Sequence, residues 1–308
     1  MRHTLVILFF LQISIFFSFG QDPLSSHFFL NTPVLNPALT GSADARRIFA
    51  NYRNQWPGLH SALMTYTGCY DQPSSLWDGG LGVAVKNDVI ANGLFNTVNA
   101  DFMYSYHLQV SREWYVLSGI EASLVNKNIR ASSLQYFPDA PEAIPSRSSF
   151  LADFSLGFAA FHKDLVIGTA FHHIANTAFY GDDTYTMPLR ISAHASNAFH
   201  FHPYTVTSSI LIEQQEQSFY ATYGAGLNYQ EFTTGVWLRQ DEKFHFSALI
   251  FALRYSTSLY TVIYSYDFPF MNSRKGINYG AHEVTFLAQF KYKTVTKKKF
   301  KAVKCPSL

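Results

Sequence analysis

Apolar and polar positions alternate with a period of two along much of this chain. That is the spacing of a β-strand with its two faces in different environments. Leu81, Val83 and Val85 alternate with Gly82, Ala84 and Lys86. Ala152, Phe154, Leu156, Phe158 and Ala160 share a face opposite Asp153, Ser155, Gly157 and Ala159. Tyr260, Val262, Tyr264 and Tyr266 oppose Thr261, Ile263, Ser265 and Asp267, and Val284, Phe286, Ala288, Phe290 and Tyr292 oppose Glu283, Thr285, Leu287, Gln289 and Lys291. One face is apolar each time and the other polar or small, as lipid on one side and a lumen on the other require.

Segments of this kind predict about fourteen strands: 44–55, 61–71, 80–88, 95–109, 113–128, 147–162, 164–174, 188–198, 200–212, 218–230, 232–240, 245–256, 257–268 and 280–292. The connections sort by parity. Long ones follow strands five, seven and thirteen (Ile129–Ser146, Ala175–Met187, Pro269–Tyr279), and tight ones follow strands six, eight, ten and twelve, as at His162-Lys163 and Gln230-Glu231. Only the stretch Gln72–Gly79 breaks the rule. Outer-membrane barrels have short periplasmic turns and longer outer loops, so the pattern predicts an all-β, transmembrane outer-membrane β-barrel of antiparallel strands. An even strand count puts both ends on the periplasmic side. A soluble sandwich has no reason to sort loops this way.

The first twenty residues have Arg2 and His3 ahead of an apolar run from Leu5 to Ile13, then Ser14 to Gly20 leading into Gln21. They read as a signal peptide, 1–20, cleaved so that the mature chain begins at Gln21. The rest has no apolar run as long as a spanning helix, so membrane entry requires a closed barrel. Composition agrees: aromatics make up 17% and charged residues 14%, against roughly 25% charged in soluble domains. The domain reading is a signal peptide (1–20), an N-terminal arm (21–43), a barrel (44–292) and a basic tail (293–308).

A net charge of +2 implies no nucleic-acid partner. The two cysteines, Cys69 and Cys305, are too few for a disulfide framework, although one bridge between them stays open. Twelve histidines invite a metal reading, but no zinc spacing supports it, and adjacent His172 and His173 on a flat strand point to opposite faces. Neither a G-x-S-x-G elbow nor another spacing selects a nucleophile, so we expect no catalytic residue, cofactor or metal. The run Gly79–Gly82 opens a strand, not a helix, and reads as a turn with room for close packing. Lysines from Lys291 to Lys304 either engage anionic headgroups or an acidic partner, or form a solvated terminus.

The arm, SHFFLNTPVLNPALTG, mixes apolar residues with Asn31, Pro33, Asn36 and Pro37, which favours defined turns. It folds either into the lumen as a plug or over the periplasmic mouth as a cap. From here an ordered motif set begins: Asn36-Pro37-Ala38 and Gly41, then Arg53-Asn54-Gln55-Trp56-Pro57-Gly58, Tyr70-Asp71-Gln72, Gly79-Gly80-Leu81-Gly82, Asn87-Asp88 and Tyr104-Ser105-Tyr106-His107-Leu108. In this order it resembles the PorP/SprF family of type IX secretion system outer-membrane proteins of the Bacteroidota. The likeness is strong over residues 21–130 and is carried afterwards by barrel rhythm.

The resemblance implies a non-enzymatic barrel, in contact with outer-membrane lipid. Such a barrel supports secretion or surface attachment of a dedicated cargo such as a large adhesin, and works with the type IX machinery including its periplasmic components. Asn36, Pro37, Arg53, Asn54, Gln55, Trp56, Tyr70, Asp71 and Gln72 carry over as motif positions, with either a structural or a partner-contact role. Arg53 and Asp71, on neighbouring strands, are expected to pair inside the lumen. The rival reading is a pore for small or apolar solutes, which rests on the barrel alone.

Overall fold

The computed structural model describes residues 22–59, 62–75, 77–130, 146–179, 182–270 and 280–291. Residues 1–21, on which the expected signal peptide falls, and the basic tail with Cys305 lie outside the described residues, as do Tyr292 and the prolines at 138, 141 and 145.

Sixteen strands follow in chain order: β1 (Ala45–Gln55), β2 (Leu63–Ser74), β3 (Gly79–Ile90), β4 (Phe95–Gln109), β5 (Trp114–Ile129), β6 (Arg147–His162), β7 (Leu165–His172), β8 (Ala178–Phe179), β9 (Asp182–Thr186), β10 (Arg190–Phe201), β11 (Tyr204–Gln215), β12 (Ser218–Tyr229), β13 (Phe232–Gln240), β14 (Phe246–Ser256), β15 (Tyr260–Pro269) and β16 (Ala281–Lys291). Fourteen of them close one antiparallel barrel, and β8 and β9 form a separate hairpin. The hairpin lies inside the long connection that the sequence leaves without structure. β1 seals the barrel against β16 from Ala45↔Lys291 to Gln55↔Ala281, so no strand edge is left facing lipid along the seam.

The two faces separate as the alternation predicts. Phe154 and Phe158 are 53% and 49% exposed, whereas Asp153 and Ser155 between them are each 2% exposed. Val262 and Tyr264 likewise face out while Ile263 and Ser265 are buried. A closed barrel lets this occur without unpaired backbone, because each strand finds both hydrogen-bonding neighbours within the sheet.

We call the end where β1 begins and β16 finishes the near end. Connections there span two to four residues (75–78, 110–113, 163–164, 202–203, 230–231, 257–259). Those at the far end include 130–146, 173–189 and 270–280. The apparent exception after the second strand disappears: β2 runs to Ser74 and β3 starts at Gly79, three residues and one residue beyond the predicted limits. Polar and small residues at a strand end had hidden the pairing Gln72↔Leu81, Pro73↔Gly80 and Ser74↔Gly79.

The arm runs through the lumen. Its first described residue, Asp22, meets His173, Arg190 and Gln215, all at the far end. A one-turn helix (Thr32–Leu35) and a 3₁₀ turn (Pro37–Leu39) then bring it down to β1 at the near end. Strand parity therefore puts the two barrel ends together but does not govern the arm, which starts at the opposite mouth. Phe28 packs with Leu211, Trp237, Ile250, Ala252 and Ile263, and Phe29 stacks on Trp237 at 5.0 Å. Leu39 and Ala38 pack with Leu117, Ala159, Phe161 and Val166.

Candidate functional site

The seat of the arm in the lumen has three sections. The near section is the Asn36–Gly41 turn. Asn36 Nδ2 donates to the carbonyls of Phe158 (3.0 Å) and Thr169 (3.1 Å) and lies 3.1 Å from His194 Nε2, while its Oδ1 accepts from Ala38 N at 3.0 Å. Phe158 and Thr169 are cross-strand partners of β6 and β7, so one amide bridges two strands of wall. Ser105 Oγ donates to the Thr40 carbonyl at 2.6 Å. Gly41 N donates to Asp71 Oδ2 at 2.7 Å, and Arg47 forks onto the same carboxylate at 2.9 and 2.5 Å.

Glycine makes this seat possible. A Cβ on Gly119 would stand 2.3 Å from Ala38 N and from the Pro37 carbonyl carbon. One on Gly157 would stand 2.0 Å from Asn36 Oδ1, and one on Gly80 2.1 Å from the Thr40 carbonyl oxygen. The arm's backbone thus lies directly on the wall's backbone, a distance that no larger residue permits.

The middle section is a buried ion cluster. Arg53 donates to Glu283 Oε2 at 2.9 Å and to Asp267 Oδ2 at 2.8 Å, and Arg239 Nη1 donates to the same Asp267 oxygen at 3.1 Å. The arm adds three donors, Ser26 N and Ser25 Oγ to Glu283, both at 2.8 Å, and Ser26 Oγ to Asp267 at 2.7 Å, and Asn51 of β1 donates to Glu283 at 2.9 Å. Two guanidinium groups balance two carboxylates, as charges out of water require. His27 lies beside them; burial pushes its imidazole below the usual value. The neutral ring bonds Thr285 Oγ1 at 2.7 Å, with Glu283 further off at 3.7 Å.

The far section is a titratable latch. His173 places Nδ1 2.6 Å from Asp153 and Nε2 2.8 Å from Asp22, and Arg190 reaches Asp22 at 3.2 Å. Burial alone would lower the His173 pKa, but the two carboxylates prevail and raise it to about 9. Burial would raise Asp22, yet His173 and Arg190 hold its carboxyl well below the usual range. The ring is therefore an imidazolium donating from both nitrogens.

Two expectations are corrected. Arg53 and Asp71 do not pair: opposite Arg53 in the register is Thr65, and Asp71 stands opposite Arg47, six residues along. At ~3.3 Å per residue that is about 20 Å, so each finds another partner. His172 and His173 do not point to opposite faces. β7 ends at His172, His173 has φ +61, and both rings are buried with centroids 6.4 Å apart. A left-handed residue breaks the two-residue alternation at that point.

The other motif positions are dispersed. Pro37 lies on Gly119. Tyr70 faces outward and bonds Gln72 at 2.9 Å. Asn54 and Gln55 pair with His282 and Ala281 at the far end of β1, and Trp56 follows them, 41% exposed, with its N–H on the Gly280 carbonyl at 2.9 Å. Sequence reasoning missed Arg47, Arg239, Asp267, Glu283, His194, Ser26 and Asp22. Their shared signal is a charged or polar side chain at an inward strand position, or within the arm, of a chain otherwise poor in charge. Cys69 is free and buried beside Phe49, Ala84, Met103 and Leu287.

The family described as "Type IX secretion system membrane protein PorP/SprF" matches residues 17–287. No curated protein matches the chain. Among solved structures, the Ralstonia pickettii toluene transporter TbuX is similar in fold at 10% identity and TM-score 0.55, over 84% of this chain and 93% of that one. A Pseudomonas aeruginosa FadL homologue (11% identity, TM-score 0.50, 88% of this chain and 95% of that one) and the Pseudomonas putida toluene transporter TodX (8%, 0.51, 87% and 95%) share the architecture. These likenesses speak for the outer-membrane barrel fold and for nothing finer. With 271 of 308 residues matched from 17 to 287, the chain belongs to the PorP/SprF family of type IX secretion system membrane proteins.

Proposed function

We propose that this protein is a non-enzymatic outer-membrane component of type IX secretion that supports the secretion or surface attachment of one dedicated cargo, such as a large adhesin. In this reading the near end faces the periplasm and meets the secretion machinery. The observation that carries it, beyond the family, is the filled lumen: an arm of the same chain runs from one mouth to the other and bonds to the wall along its course. A barrel so occupied serves as a rigid docking body better than as a conduit. Interior space beside the arm includes a cavity of about 110 Å³, where Arg53, Lys86, Asp101, Glu121 and His173 stand among apolar Phe28, Val34 and Leu35, and one of about 210 Å³ beside Asp22, Lys86, Asp88 and Lys127; the charges that line both disfavour passage of apolar solutes.

Deleting the gene tests this. Surface proteomics is expected to lose one large secreted protein while other exported proteins stay at the surface; uniform secretion of every cargo would sink the proposal. Steady ion conductance by the purified protein in planar bilayers would favour the pore instead.

A further inference from the structure

Arg254 is the feature the arm's seat leaves unused. It lies on β14 at an inward position and is 7% exposed. Its Nε has no hydrogen-bond partner, and the side chain makes no ion pair or ring contact with any described residue. Along the same face of β14, Ile250 and Ala252 pack with Phe28 of the arm, and Arg254 is the next inward position toward the near end. By then the arm has crossed to the other wall, where residues 36–41 bond to β2, β4, β6, β7 and β10. Opposite Arg254 in the register are Thr233 and Ile263. Thr205, Asn228 and Thr233 nearby are only half-buried, with Asn228 Nδ2 donating to Thr233 Oγ1 at 3.0 Å. This side of the near mouth is polar and holds a cation that no carboxylate among the described residues pairs with, the exposed Glu231 of the 230–231 turn included.

A buried guanidinium without a partner costs several kcal/mol, which chains rarely retain without use. Its planar fork fits a carboxylate in two parallel hydrogen bonds. Residues 292–308, which follow β16, contain no Asp or Glu, so no side chain there has the required sign. We infer that Arg254 is a docking residue for the carboxylate of a second polypeptide, an acidic side chain or a C-terminus that enters the near mouth beside the arm. The inference rests on the proposed function, in that the near mouth then faces the compartment from which cargo or machinery approaches.

Arg254→Met in the purified full-length protein is the test. Removing an unpaired buried charge is expected to raise Tm by ~2–4 °C for each kcal/mol relieved; a fall in Tm means Arg254 already has an internal partner and overturns the inference. Wild-type protein is expected to bind a labelled hexaglutamate peptide and not hexaglutamine, with affinity for hexaglutamate at least tenfold weaker in Arg254→Met and partly kept in Arg254→Lys. Equal binding by wild type and the methionine variant, or of the two peptides by wild type, overturns it. Moving the chain's own carboxylate away with a ten-residue Gly/Ser extension after Leu308 is expected to leave peptide affinity unchanged. A tenfold gain would assign the site to the chain's own C-terminus and overturn the role of a second polypeptide. Cargo loss on gene deletion together with unaltered peptide binding in Arg254→Met would leave the proposed function standing while this inference fails.

Discussion

Residues 36–41 of the arm rest on wall glycines and bond to wall carbonyls, whereas residues 22–26 are held by charges on Asp22, His173, Arg190, Glu283 and Asp267. The near contact depends chiefly on shape and on neutral donors, its one charged pair being Arg47–Asp71 at Gly41. The far contact depends on ionisation. An arm anchored in this way loosens first at residues 22–26, while the turn that leads into β1 stays in place.

The sharpest break in that contrast is Gly119→Val. The new side chain collides with backbone of Pro37 and Ala38, which cannot move without lifting the whole turn. A loss of more than ~4 kcal/mol is expected, the range that follows from overpacking against a rigid neighbour. Chymotrypsin should then cut at Phe28 and Phe29 without added denaturant; an arm as resistant as wild type would show that the glycine seat is not what holds it.

Arg53→Met should come next. It leaves Glu283 fully buried with only neutral donors and Asp267 with Arg239 alone, a defect worth about 3–5 kcal/mol. A drop in Tm measured in detergent checks it, and Arg53→Lys should recover only part because one ammonium cannot fork to both carboxylates. No change in Tm would mean that the cluster is idle.

The smallest effect belongs to the latch. Asp22→Asn removes a charged acceptor from His173 and Arg190, and about 2 kcal/mol of local stability is expected to go with it, read as faster hydrogen exchange over residues 22–28 and unchanged exchange over 36–41. The same separation should appear with pH. Because His173 is raised, its contribution is fully present below the free imidazole value of about 6.5 and is lost as pH climbs through about 9. Asp22 is lowered, so its contribution is present above about 3.9 and is lost as pH falls through its depressed value. Asp153, Arg190 and the more distant Lys86 face the same pair. Protection of residues 22–28, taken relative to the intrinsic exchange rate at each pH, should therefore be greatest between about pH 4 and 7; an alkaline loss of protection equally large at 36–41 would erase the difference between the two halves.

The strands and their faces were legible in the order of residues alone. Period-two alternation at Phe154–Phe158 and Val262–Tyr264 states which side chains meet lipid, because a strand has only two faces and a slip of one residue inverts both. Loop parity at 163–164 and 230–231 against 130–146 placed the barrel's two ends together. The arm's turn chemistry at Asn36-Pro37 was equally readable, and so was the need for small residues near Gly79–Gly82. What alternation cannot state is how far one strand is offset from the next. That offset decided that Arg47 meets Asp71, and it gave Arg53 to Asp267 and Glu283, more than two hundred residues away. Nor does it contain the path of a segment that crosses the interior. Asp22 reaches the far mouth because residues distant in sequence, His173 and Arg190, converge there once the sheet closes. Local pattern sets each strand, but closure of the barrel sets which charges share the lumen, and that is where the arm found its partners.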